Sequence, residues 1–183
     1  AGLWEVHKKF GSLPWKDLLE DAIFYAEEGF EISPYMADIL YKYNEKMSYF
    51  PETKKIFQAD FPDFKNRKLF QKDLASTLKK ISSNGKDGFY KGEIAKKIAN
   101  DMKLNGGLIS VYDLENYNPV WREPLTSSYR NNKIITMGPP SSGGVHIIQM
   151  LNVLENYNLD SLEHNSSHYI NLLTEVMKYA YAD

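Results

Sequence analysis

The sequence PPSSGG at residues 139–144 constrains the fold more than any other feature of this chain. It follows an apolar run at 133–137 and precedes a helical pattern at 145–157, so the order strand, tight loop, helix is predicted. The prolines exclude helix before the loop, the serines can cap the free amides of the next helix, and the glycines permit close approach of a backbone or a ligand. This geometry suits an anion, but structural helix starts use it as well, and no Lys or Arg stands in the loop to hold a phosphate.

Composition places the chain in an ordinary globular class. Its 183 residues are 43% hydrophobic and 14% aromatic, enough for a sizeable core and typical of one domain. A formal net charge of -2 gives no overall electrostatic attraction to nucleic acid or to an acidic membrane surface. No apolar stretch approaches the roughly 20 residues that a membrane-spanning helix needs. The absence of cysteine excludes disulfides and thiolate chemistry and leaves the redox compartment open.

Hydrophobic periodicity predicts a mostly helical chain. The pattern predicts one helix that begins at Pro14 and ends at Gly29. A second helix is predicted to begin at Ser33 and Pro34. Ser110 has the spacing of a capping box with an acidic residue three positions on, which predicts a short helix ending near residue 119. Further helical patterns occupy residues 74–81, 94–102, 145–157 and 165–183.

The remaining segments predict a loop and a small β element. Residues 49–67 lose periodicity around two prolines and are expected to form an ordered loop. A strand signal is found only in residues 120–137, as an extended segment at 121–126 and two short strands within 128–137 that meet at a turn at 130–132. The predicted fold class is therefore α+β, predominantly helical with a small antiparallel β element.

Self-contained catalytic chemistry cannot be assembled from these residues. His164 and His168 lie four residues apart but lack the glutamate of a zinc-protease motif, so no metal site is predicted. Ser141 and Ser142 are nucleophiles by residue type, yet the loop is not a GxSxG elbow and no base can be assigned to them. No cofactor is expected.

Both ends of the sequence lie within helical patterns. Apolar spacing is already under way at Leu3 and Val6, and the last pattern runs to Asp183 without a glycine, a proline or a basic final turn. We therefore expect an internal piece of a longer polypeptide, truncated at both ends.

Eight stretches resemble, in order, the middle of the large subunit of the gamma-glutamyltranspeptidase family, also called glutathione hydrolases. The most specific stretch is MGPPSSGGVHIIQMLNVL at 137–154. The resemblance covers essentially the whole chain apart from 49–67. It implies that residues 1–183 are a single segment, the middle to C-terminal part of a large subunit. It also implies that the whole enzyme is an Ntn hydrolase of αββα architecture. The other stretches are 2–11, 13–22, 71–78, 88–95, 105–117, 121–125 and 174–183.

The resemblance also implies a mechanism whose catalytic residues lie outside this chain. Family members are made as precursors that cleave themselves, and the new N-terminal threonine of the small subunit attacks the gamma-glutamyl carbonyl. Neither that threonine, nor the family's substrate-binding arginine, nor its oxyanion-hole glycines match a position here. No catalytic residue is therefore predicted in the chain, and Ser141, Ser142, Gly143 and Gly144 are expected to form a structural loop near the active site.

The predicted function is that of a scaffold in an enzyme that cleaves the gamma-glutamyl bond of glutathione and transfers the group to water or an amino acid. The chain alone is expected to be inactive. Its implied partners are the rest of the large subunit and the small subunit, with glutathione and amino acid acceptors as ligands of the whole enzyme, and the implied location is periplasmic or secreted.

Two alternatives remain open. One is a sibling gamma-glutamyl hydrolase or transferase that acts on poly-glutamate. The other is a free-standing helical binding module whose contact surface includes Tyr35, Tyr41 and Tyr43. A segment cut from a larger enzyme is expected to expose apolar surface, through which it can dimerise or bind a hydrophobic dye.

Overall fold

A computed structural model describes residues 1–57 and 67–182 and divides the chain into two compact units, Ala1–Pro119 and Val120–Asp183. The first unit is helical with one two-stranded sheet, and the second combines a β-hairpin with two long helices. The predicted fold class, predominantly helical α+β with a small antiparallel β element, is confirmed, and a second small sheet is added to it.

The first unit consists of helices and one short antiparallel β pair. In that pair Phe30 lies opposite Leu69 and Glu31 lies opposite Lys68. The elements are α1 Gly2–Phe10, α2 Asp17–Glu28, β1 Phe30–Glu31, α3 Pro34–Ser48, α4 Pro51–Phe57, β2 Lys68–Leu69, α5 Lys72–Asn84, α6 Asp87–Tyr90, α7 Gly92–Leu104 and α8 Val111–Glu115.

The core of this unit is built from small and branched side chains. Ile32, Ala37, Leu40 and Leu69 form one buried cluster, which joins β2 to α3. Helices α2 and α5 pack against each other. Near them the indole N–H of Trp15 donates a hydrogen bond to the carbonyl oxygen of Ile81 at 3.0 Å, which ties the turn before α2 to α5.

Helix starts in this unit follow the predicted capping chemistry. The Ser33 hydroxyl accepts a hydrogen bond from the Met36 amide at 3.2 Å at the start of α3. At α8 the predicted capping box is confirmed, because the Asp113 amide donates to Ser110 Oγ and the Ser110 amide donates to the Asp113 carboxylate at 2.8 Å. Hydrogen bonds from the Ser110 hydroxyl and then from its amide lower the pKa of Asp113.

Two predictions for this unit were wrong. Residues 51–57 form helix α4 instead of a loop, because Pro51 has no amide hydrogen to lose in the first turn and its fixed φ suits a helix. The rest of the predicted loop, residues 58–66, lies outside the described residues. The pair β1–β2 was also missed, because a two-residue strand is too short to show alternation.

The second unit places a hairpin before two helices. Its elements are β3 Leu125–Tyr129, β4 Asn132–Thr136, α9 Gly143–Leu154, a short 3-10 turn Leu159–Ser161, and α10 Ser167–Ala182. Arg130 and Asn131 form a two-residue turn with φ values of +46° and +67°, the left-handed conformation that such tight hairpins require. The extended segment predicted at 121–126 starts too early, since β3 begins only at Leu125. Pro124 lacks the amide hydrogen that a strand donates to its neighbour, so the strand begins after it.

Glu93 links α7 to α5 through two lysines. Its carboxylate forms an ion pair with Lys80 of α5 and a second one, at 3.0 Å, with Lys97 one helical turn further along α7. Hydrogen bonds from Lys80 and then Lys97 lower the pKa of Glu93 from 4.5 to about 2. The charged carboxylate is therefore favoured in the folded chain.

We expect the stabilising effect of Glu93 to depend on pH. Because its folded pKa is lowered, the contribution is complete above about pH 4.5 and is lost as the pH falls toward about 2. Glu93→Gln should lower the thermal unfolding midpoint slightly at neutral pH, and the difference from wild type should shrink in acid, as measured by circular dichroism. Glu52→Gln is the control, since Glu52 is 82% exposed and 3.6 Å from Lys55. A difference that stays constant with pH would contradict this role.

Candidate functional site

The PPSSGG segment forms a tight connection between β4 and α9. The Ser141 amide donates a hydrogen bond to the Gly138 carbonyl oxygen at 3.2 Å, which closes a turn around Pro139 and Pro140, and the peptide bond between the two prolines is cis. Helix α9 then begins at Gly143. The predicted order of strand, tight loop and helix is therefore confirmed for this segment.

Gly144 is the residue at which α9 touches the end of β4. A β-carbon added to Gly144 would lie 2.0 Å from the carbonyl oxygen of Met137 and 2.9 Å from Thr136 Oγ1, so only glycine fits there. The same test on Gly143 finds Ser141 Oγ at 3.7 Å, an ordinary van der Waals contact. The close approach that the sequence suggests for both glycines is therefore present at Gly144 and absent at Gly143.

The predicted serine cap is not formed. Ser142 precedes α9 with φ -75° and ψ -25°, and its side chain makes no capping hydrogen bond. A capping side chain needs an extended backbone at its own position, whereas the backbone of Ser142 is already helical. Its carbonyl oxygen instead accepts a hydrogen bond from the His146 amide at 3.1 Å.

A cationic side chain reaches the loop from another part of the unit. Arg122 Nη1 donates a hydrogen bond to the Pro139 carbonyl oxygen at 2.9 Å, which connects the segment before β3 to the loop after β4. A charged donor makes a stronger hydrogen bond than a neutral one. Arg122 could not be assigned to the loop from spacing, because it lies 17 residues away; the only signal was its place in WREPL, one of the stretches that carry the family resemblance.

Two histidines of the second unit contact aromatic rings. His146 of α9 packs on Tyr181 of α10 with ring centroids 4.7 Å apart, and His164 lies 5.8 Å from Tyr169. Within residues 1–57 and 67–182, no three His, Asp or Glu side chains are arranged as ligands for a metal ion. No helix in that part of the chain has the length and apolar character to cross a membrane.

The fold and the loop have close counterparts among known enzymes. The crystal structure of Helicobacter pylori gamma-glutamyltranspeptidase superposes with a TM-score of 0.92 and 42% identity, over 99% of this chain and 52% of that one. This likeness confirms the predicted class, part of an Ntn hydrolase. The family model for gamma-glutamyltranspeptidase matches residues 1–183, and the chain belongs to this family.

Relatives of two different names match the chain to nearly the same extent. The glutathione hydrolase proenzyme of Escherichia coli strain K12 is 40% identical over 185 residues, covering 100% of this chain and 32% of the relative. The acylase ACY 1 proenzyme of Pseudomonas sp. strain SE83 is 39% identical over 183 residues, covering 100% of this chain and 33% of the relative. The chain thus spans about a third of the length of these relatives.

We expect Gly144→Ala to destabilise the second unit and Gly143→Ala to be nearly neutral. The added methyl group at 144 would overlap the Met137 carbonyl, and such overpacking costs about 1 to 3 kcal/mol, whereas 143 has room for it. Chemical denaturation of the two variants compares sites that differ by one position in the same helix. Equal stabilities would contradict the proposed contact.

Arg122 is expected to hold the loop in place. Arg122→Gln should increase amide hydrogen exchange at Ser141 about fivefold, corresponding to the loss of roughly 1 kcal/mol of hydrogen bonding. Arg130→Gln is the matched control, because Arg130 donates a similar 2.9 Å hydrogen bond to the Tyr157 carbonyl oxygen away from the loop. Unchanged exchange at Ser141 in Arg122→Gln would show that the loop does not depend on this bond.

Proposed function

We propose that residues 1–183 are a scaffold segment of a larger enzyme that cleaves the gamma-glutamyl bond of glutathione and transfers the group to water or an amino acid. The observation that carries the proposal is the match along the whole chain to gamma-glutamyltranspeptidases, together with its coverage of about a third of the curated relatives. In this proposal the segment alone has no activity.

The titrating groups of the described residues support a structural role. Active sites commonly contain groups whose pKa is shifted inside a cleft. Here the lowered pKa of Glu93 follows from ion pairs between helices, and that of Asp113 follows from a helix cap. Burial, and then the neighbouring Tyr117, raise the pKa of Tyr90, whose ring stacks on that of Tyr117 at 5.4 Å. Each shift has a structural cause.

Exposed apolar side chains also support a place within a larger protein. Helices α1, α2 and α5 border an open groove of about 530 Å³ whose lining includes Leu3, Phe10 and Leu18. All three side chains are more than half exposed. Apolar patches of this kind mark surfaces that contact other protein.

The partners and the location follow from the family. The names of both relatives include the word proenzyme, which supports a precursor that is processed by cleavage. The rest of the large subunit and the small subunit would then cover this segment, with Ser141, Ser142, Gly143 and Gly144 as a structural loop near the active site. An N-terminal nucleophile supplies its own amine as the base, so the reaction calls for no cofactor. A periplasmic or secreted location is carried over from the family resemblance.

A sibling acyl-transferring enzyme is the second candidate. It is favoured by the acylase ACY 1 proenzyme, whose identity to this chain is within one per cent of that of the glutathione hydrolase proenzyme. Both candidates use the same scaffold and differ in the acyl group that they accept. A sibling gamma-glutamyl hydrolase or transferase that acts on poly-glutamate would accept the same acyl group as a glutathione hydrolase and differ only in the donor. A free-standing binding module is disfavoured, because an enzyme family accounts for the chain from end to end.

The test compares the 183-residue chain with the complete protein from the same gene, using two anilides. Gamma-glutamyl anilide carries an α-amino group that glutaryl anilide lacks, so the pair of substrates separates a gamma-glutamyltransferase from an acylase. We expect the complete protein to hydrolyse the gamma-glutamyl compound preferentially and the 183-residue chain to hydrolyse neither. Preference for the glutaryl compound would favour the acylase candidate, and hydrolysis by the 183-residue chain that Ser141→Ala or Ser142→Ala abolishes would refute the scaffold role.

A further inference from the structure

The segment between the 3-10 turn and α10 has the sequence EHNSSH at 163–168. Within it Asn165, Ser166 and Ser167 form the pattern N-x-S/T, which is the acceptor pattern for N-linked glycans in secreted proteins. No other asparagine of the sequence is followed two positions later by Ser or Thr. So short a pattern also arises by chance, and its structural setting therefore decides what it means.

The residue two positions before Asn165 adds specificity to the pattern. The bacterial form of the acceptor pattern is longer and has an Asp or Glu at that position, where this chain has Glu163. The Glu163 side chain is exposed. A carboxylate there gives a transferase with a complementary cationic site a further group to recognise, and complementary charge contributes to specificity. The chain thus carries the complete longer pattern.

The backbone presents Asn165 in an exposed turn. Its φ of +59° is the left-handed conformation, which asparagine adopts more readily than most residues. The Ser166 amide closes the turn by donating a 3.0 Å hydrogen bond to the Glu163 carbonyl oxygen. The side chains of Asn165 and Ser167 are both exposed. In the part of the chain that the structure describes, neither of these two side chains has a hydrogen-bond partner.

The middle residue of the pattern serves the fold instead. The Ser166 hydroxyl accepts a 3.2 Å hydrogen bond from the Tyr169 amide and so caps α10. The middle position of the acceptor pattern accepts any residue except proline, so this cap uses no group that glycan transfer needs. Ser167 is the first residue of α10, and the ends of helices open at little cost in free energy.

A glycan on Asn165 would lie far from the PPSSGG loop. His146, in the first turn of α9, packs on Tyr181 near the end of α10, with ring centroids 4.7 Å apart. The loop before α9 is therefore close to the C-terminal end of α10, whereas Asn165 precedes the N-terminal end. At about 1.5 Å per residue, α10 separates the two by about 20 Å. A bulky group on Asn165 would thus leave the packing of Gly144 undisturbed.

We propose that Asn165 is the acceptor of an N-linked glycan, which an oligosaccharyltransferase transfers from a lipid-pyrophosphate-linked oligosaccharide. The Asn165 amide nitrogen forms a bond to the anomeric carbon of the first sugar and gives up one proton to a base of the transferase. The bond between that carbon and the pyrophosphate oxygen breaks, and the lipid pyrophosphate leaves. The inference rests on the exported location in the proposed function, because proteins modified at this pattern are secreted.

The test expresses the complete protein, with an added export signal, in bacteria that contain an oligosaccharyltransferase and its lipid-linked oligosaccharide. We expect mass spectrometry to find one glycan on the peptide that contains Asn165, and Asn165→Gln to abolish it. Ser167→Ala should abolish the modification and Ser167→Thr should retain it, because the pattern requires a hydroxyl group there. Glu163→Gln should cause the loss of most of it.

Ser166→Ala is the matched control, because it removes the cap of α10 and keeps the acceptor pattern. Its modified fraction should equal or exceed that of the wild type. Loss of the glycan in Ser166→Ala as complete as in Ser167→Ala would show that the fold of this turn, and not the pattern, controls the result. An unmodified Asn165 beside a modified reference acceptor protein in the same cells would overturn the proposal.

Failure of the glycan site can be told apart from failure of the proposed function. An exported protein that hydrolyses gamma-glutamyl anilide while Asn165 stays unmodified would refute the glycan site alone. A modified Asn165 in a protein that prefers the glutaryl anilide would support the glycan site and refute the assigned substrate. Because Asn165 is distant from the PPSSGG loop, Asn165→Gln should leave the rate of hydrolysis unchanged.

Discussion

The contact between Gly144 and the Met137 carbonyl determines how the second unit is arranged. A helix that follows a strand so closely must turn back on it, and the turn brings the first residues of α9 against the backbone of β4. A side chain at 144 would separate them. The Arg122 hydrogen bond to Pro139 and the turn closed by Ser141 then fix the loop between the two elements. The PPSSGG segment is therefore explained by backbone packing, with no ligand required.

Features that depend on neighbouring residues could be predicted from the sequence. The Ser33 cap, the Ser110 capping box and the end of α2 at Gly29 involve groups within a few positions of one another. Features that join distant positions could not be predicted. The pairing of Phe30 with Leu69 and the bond from Arg122 to Pro139 leave no periodic signal, since each depends on how the chain folds back on itself.

Within the six residues of the PPSSGG loop, too, some features could be predicted from the sequence and others could not. Residue types alone suggested that two serines cap and two glycines allow close approach. The backbone angles of Ser142 decide against the cap, and the position of Met137 selects Gly144 over Gly143. Both facts are set by the path of the chain from β4, which residue types do not specify. The residue types thus identified the correct segment but could not assign a role to each residue within it.

A scaffold role accounts for the nearly equal similarity of this chain to a glutathione hydrolase proenzyme and to an acylase proenzyme. Residues that recognise the acyl group change when substrate specificity changes. A packing contact such as that of Gly144 with Met137 does not depend on which substrate the enzyme accepts. If the acyl-binding residues lay in this segment, relatives with different substrates would be expected to differ within it. On the proposal made here those residues lie in the other two thirds of the enzyme, so this segment can support either activity without alteration of its packing.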